Sequence, residues 1–100
     1  MKKGELLMSD SPLKKTIDQL LRAYGYQEQL DEIELIKIYE GLVGKMFVNH
    51  TEKITFKNKK LYVKLDSASL KQELNYVKEG LVQRINREIG RNIVDKIVIR

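Results

Sequence analysis

The chain has no cysteine and no tryptophan, one proline and one histidine in 100 residues. Without cysteine there is no disulfide framework, no thiolate zinc site and no thiol nucleophile. Long hydrophobic runs are missing too. Charged residues break every apolar stretch well short of the ~20 residues that cross a bilayer, so no transmembrane segment is expected. Met1-Lys2-Lys3 is basic, but the apolar run behind it is only Leu6-Leu7-Met8, too short for a secretory signal. The chain is 42% hydrophobic and 33% charged, too apolar for wholesale disorder and too charged for a membrane protein. A small cytoplasmic globular protein with no membrane partner is expected. Its parts are a flexible tail over residues 1–9 and a single domain over 10–100.

The formal net charge of +5 is unevenly spread. Residues 1–50 hold seven Lys/Arg against eight Asp/Glu, a net of −1, whereas residues 51–100 hold twelve against six, a net of +6. A basic second half points to a polyanionic partner, nucleic acid first. The plain alternative is a lysine-rich solvated surface.

Asp10-Ser11-Pro12 reads as a helix start, with Ser11 as cap and Pro12 in the first turn. Leu13, Ile17, Leu20, Leu21 and Tyr24 follow at helical spacing, and Gly25 ends that helix. A second helix is expected over about Gln27–Asn49, acidic at its start and apolar on more than one face. Gly41 and Gly44 inside it allow close packing or a kink. The period then changes to two. Ile54 and Phe56 alternate with Lys53, Thr55 and Lys57; beyond an Asn58-Lys59 turn, Leu61, Val63 and Leu65 alternate with Lys60, Tyr62 and Lys64. That is a β-hairpin with one apolar and one basic face. Asp66 or Ser67 caps a third helix, with Leu70, Leu74, Val77, Leu81, Ile85 and Ile89 on one stripe, Gly80 as a bend point and Gly90 as its stop. The closing Asn92–Arg100 segment reads as a strand. The order α-α-β-β-α-β implies an α+β fold in two layers, a small three-stranded sheet with helices on one face.

Little here supports catalysis. His50, between helix and strand, reads as a structural residue at a helix end, and the serines fall in the tail or at caps. No phosphate loop, metal-ligand motif or cofactor motif is present, so no enzyme, no metal and no cofactor are expected. The basic hairpin is the better candidate. Lys53, Lys57, Lys59, Lys60 and Lys64 with Tyr62 offer phosphate contacts and a stacking surface, and the last strand adds Lys96 and Arg100 to the same face. Arg84, Arg87 and Arg91, at i, i+3 and i+7, form a second patch. Gly41-Leu42-Val43-Gly44 has the GxxG spacing of KH-domain loops, but its apolar middle reads as helix packing.

The stretch from Ile38 to Arg100 resembles the DciA-like family of bacterial replicative-helicase accessory proteins, and the similarity extends over about residues 10–100. It rests on Tyr39 five residues before Gly44, His50-Thr51, Leu61-Tyr62-Val63, Ser67, Gln72-Glu73-Leu74, Ile85-Asn86, Gly90, and Ile97 to Arg100. The resemblance implies a KH-like fold, contact with single-stranded DNA and assistance in loading the replicative helicase. The family's usual tryptophan is Tyr39 here. Many members carry a long extension that folds against the helicase; a form without it is expected to keep DNA binding while losing helicase loading, or to serve another partner. The expected function is thus nucleic-acid binding, single-stranded DNA favoured and RNA the alternative. The rival is a protein-interaction adaptor that does not bind nucleic acid and presents Tyr39 and the second helix to its partner.

Overall fold

The computed structural model describes residues 12–100; the expected tail over 1–9 and the cap at Ser11 lie outside the described residues. The described residues fall into two compact units, one ending at Leu30 and the other Asp31–Arg100. In the first, α1 (Pro12–Ala23) ends where Gly25, at φ +88°, turns the chain. The Gly25 N–H donates to the Arg22 carbonyl and the Tyr26 N–H to the Leu21 carbonyl, the paired bonds of a Schellman stop. Ile17, Leu20 and Tyr24 are exposed.

Helix α2 (Gln27–Val43) begins in the first unit and continues into the second, where α3 (Lys45–Asn49), β1 (Thr51–Lys57), β2 (Lys60–Leu65), α4 (Ala68–Ile89) and β3 (Lys96–Ile99) follow. The expected order therefore holds, with one correction. The long second helix is two helices, because Gly44 at φ +88° lies between them. Only glycine adopts that backbone without strain. The packing role read into the GxxG stretch belongs to Leu42 and Val43, which pack against the core, and not to close approach at the glycines, where an added Cβ meets nothing within 4 Å.

The strands form one sheet in the order β1-β2-β3, with β1 antiparallel to β2 and β2 parallel to β3. Parallel neighbours need a crossover, and α4 supplies it. Asn58 and Lys59, at φ 53° and 64°, make the two-residue turn between β1 and β2; positive φ at both positions matches the right-handed twist of the strands. Leu61, Val63 and Leu65 of β2 face the helices and are almost wholly buried against Leu74 and Ile85 of α4 and Leu35 and Tyr39 of α2. Helix α4 starts on the Ser67 hydroxyl, which accepts from the Leu70 N–H, and passes unbroken through Gly80. It stops at Gly90, φ 86°.

Asp66, the other candidate cap, does something else. Its carboxylate lies 2.7 Å from His50 Nδ1 and its N–H donates to the His50 carbonyl, joining the start of β1 to the end of β2. His50 also closes α3 through its own N–H to the Phe47 carbonyl. The one histidine is a structural link.

Candidate nucleic-acid interface

The sheet register fixes which side chains share the face turned away from the core. Thr55, Tyr62 and Val98 lie across from one another on β1, β2 and β3. On one side of this central row are Lys57, Lys60 and Lys96. On the other, Lys53 pairs with Lys64, and the Arg100 N–H and C=O bond to Val63 and Leu65, which places Arg100 beside Lys64. The face is therefore a largely uncharged row of Thr55, Tyr62 and Val98 flanked by two basic rows. Lys53, Lys57, Lys64, Lys96 and Arg100 are exposed; Lys60 and Tyr62 are half-buried among them.

Like charges directly across a sheet destabilise it. Lys57 against Lys60, Lys60 against Lys96 and Lys53 against Lys64 are three such pairs. Little on the face offsets them. Lys64 Nζ is 3.5 Å from the carboxylate of Glu52, the residue at the β1 irregularity, and Lys59 Nζ at the turn is 3.7 Å from Asp95. Both pairs are solvent-exposed and worth little. Lys59 also occupies a positive-φ position where glycine is preferred, so a cation stands where the backbone asks for none. The Arg100 guanidinium lies 4.5 Å from the centre of the Tyr62 ring, a cation–π contact that joins two flat groups able to stack with a nucleobase.

The second patch is not brought to this face. Arg84 and Arg87 are exposed on α4, whose buried stripe packs on the opposite side of the sheet. Arg91 falls beyond the Gly90 turn, where it lines one concavity with Arg87; its Nη2 is 2.5 Å from Asp31 Oδ1, a carboxylate only 6% exposed at the start of the second unit. Burying a carboxylate is costly unless a cation and hydrogen bonds accompany it. Arg91→Ala is expected to lower stability by about 2 kcal/mol in urea denaturation, whereas Arg84→Ala and Arg87→Ala stay within about 0.5 kcal/mol. Equal effects of all three would remove the structural role assigned to Arg91.

Tyr39 requires a correction as well. Expected as a partner-facing aromatic, it is 0% exposed. Asp31, Leu35 and Tyr39 form the buried stripe of α2, and the Tyr39 hydroxyl lies 3.4 Å from Thr51 Oγ1. Burial, with the nearby Glu40 charge, pushes its phenol pKa up; the Thr51 hydrogen bond pulls it down by less. Folding thus favours the neutral phenol. Its contribution is complete below the ordinary value near 10 and is lost as pH rises through the higher native value. Tyr39→Phe is expected to cost about 1 kcal/mol at neutral pH and to fall off less steeply than wild type above pH ~10. Urea titrations across that range test this; parallel curves would contradict it.

Sequence reasoning placed Lys96 and Arg100 on the basic face but missed Val98, whose position depends on the parallel register of β3. Among the described residues no group of His, Asp and Glu could hold a metal ion, and no helix is long and apolar enough to cross a membrane. Comparison with curated proteins and with solved structures finds no match. The family described as Dna[CI] antecedent, DciA, matches residues 12–99, from the first residue of α1 to the last of β3. With nearly its whole length matched, the chain belongs to the DciA family.

Proposed function

We propose that this chain is a non-enzymatic accessory factor of the replicative helicase in the cytoplasm, and that it holds single-stranded DNA on the outer face of its sheet. The DciA family is linked to helicase loading in replication, a task without bond chemistry of its own. The observation that carries the nucleic-acid reading is the set of like-charged cross-strand pairs, Lys57–Lys60, Lys60–Lys96 and Lys53–Lys64. Such rows cost stability, and a polyanion relieves the repulsion. The rows lie on either side of Tyr62, so phosphates fit the lysines while a base stacks on the Tyr62–Arg100 pair. Single strands suit this layout because their bases are free to stack.

Fluorescence anisotropy with a labelled single-stranded oligonucleotide, and a duplex control, tests the reading. With about five lysines on phosphate, log Kd is expected to change with log salt at a slope of magnitude about 3–4. Single strands should bind more tightly than duplex. No binding at low salt would reduce the lysines to a solubility device. Capture of the helicase that survives nuclease treatment would then favour the adaptor reading.

A further inference from the structure

Helix α4 buries one stripe and leaves a second one open beside it. Leu70, Leu74, Leu81 and Ile85 pack into the core. Glu73, Tyr76, Val77, Gly80, Arg84 and Arg87, spaced at i, i+3, i+4, i+7, i+11 and i+14, share a neighbouring face, and all of them are exposed. Tyr76 is 79% exposed and Val77 55%. Alongside runs a groove of about 660 Å³, lined by Leu42, Val43 and Phe47 of α2 and α3 and by Tyr76, Val77 and Gly80 of α4. Among the described residues, Arg84 is the only charged one that lines it, and Glu73, Arg84 and Arg87 take part in no ion pair. Gly80 stands mid-helix, where glycine is the poorest helix former after proline. Nothing within its own chain approaches it, for an added Cβ meets nothing within 4 Å.

We infer that this stripe and groove form a two-fold contact with α4 of a second copy of the chain, the two helices antiparallel and crossing at Gly80. The stripe is self-complementary about that residue. Glu73 lies seven residues before Gly80 and Arg87 seven after; Tyr76 lies four before and Arg84 four after. In an antiparallel pair each of these meets its counterpart, so Glu73 pairs with Arg87 and Tyr76 with Arg84, each twice by symmetry. A parallel pair sets Glu73 against Glu73 and Arg87 against Arg87, which their charges disfavour. Gly80 opposite Gly80 lets the backbones come close, and Tyr76 and Val77 of each copy then reach the groove of the other. A helix from an unrelated protein needs this same charge order reversed, and the second copy supplies it. The core stripe of α4 packs on the side of the sheet away from the lysine rows, so the contact leaves them open. The inference does not rest on nucleic-acid binding.

Sedimentation equilibrium of the full chain, without nucleic acid, tests this. Between about 10 µM and 1 mM protein at ~0.15 M salt, the average mass is expected to rise from that of one chain toward that of two. Glu73→Arg should weaken association about tenfold or more, because it sets arginine against Arg87 in both symmetric places. Arg87→Glu should do the same, and the two changes combined should restore the wild-type constant to within about threefold. Gly80→Gln has open space in a single chain, so it should keep the fold, checked by urea denaturation, and lose the dimer. A mass that stays at one chain up to about 1 mM would overturn the inference. So would self-association unmoved by Glu73→Arg, a combined variant no tighter than the single ones, or a Gly80→Gln dimer as tight as wild type, since each would place the contact on another surface.

Discussion

Lys60→Glu is expected to make the protein more stable and its hold on single-stranded DNA about tenfold weaker. Lys60 is the middle of a row, with Lys57 across from it on β1 and Lys96 across from it on β3. Reversing its charge turns two repulsive pairs into attractive ones. At roughly 0.2–1 kcal/mol per cross-strand pair, with exposed ion pairs near the low end, the gain is about 1 kcal/mol. The same change removes a phosphate contact and sets a carboxylate among the remaining ones, so the salt slope should fall by about 0.7 along with affinity. Urea denaturation and anisotropy on the same samples read both quantities, and raising the salt should narrow the stability gap by screening the row. A solvated lysine surface with no ligand predicts the same gain in stability and no change in binding. A loss of stability would show that the rows do not repel, and the main support for the nucleic-acid reading would go with it.

The hairpin half of this face was legible in the sequence for a simple reason. Period-two alternation assigns faces within a strand, and the Asn58-Lys59 turn fixes the register of the next one. The third column was legible only in outline. Lys96, Val98 and Arg100 join it through a parallel register set across the 22 residues of α4, and no local pattern encodes that alignment. Other misses share a cause in backbone geometry. Gly41 and Gly44 look alike in sequence, yet only Gly44 takes positive φ and breaks the helix. Arg91 continues a helical spacing on paper, but the left-handed turn at Gly90 sends it to Asp31. Tyr39 was misplaced because Asp31 interrupts what is otherwise a buried stripe at i, i+4 and i+8. An ion pair formed 60 residues away makes that stripe buriable.

Asn86→Ala is expected to cost about 3 kcal/mol, the largest stability effect anticipated for a single polar side chain in this fold. Asn86 Nδ2 donates to the Val94 carbonyl at 2.9 Å, and Oδ1 accepts from the Ile93 and Val94 N–H groups at 3.1 and 2.9 Å. Its backbone carbonyl accepts from Gly90 and Arg91, so one residue organises the whole passage from α4 to β3. Val94 is 2% exposed, and water cannot easily replace the lost partners. The Ile93 N–H keeps the Arg91 carbonyl at 3.0 Å, so the Val94 N–H and C=O are the groups left unpaired, at about 1–3 kcal/mol each, reduced where the turn relaxes. Asn86→Asp keeps the acceptor and loses the donor, so an intermediate loss is expected. The consequence reaches the surface. The positions of Lys96 and Arg100 depend on β3 docking in register, so the β3 amides of the Ala variant should exchange faster than those of β1. Uniform acceleration across the sheet would instead mean that β3 opens only with the whole domain, and that Asn86 sets its stability without separately controlling the third column of the face.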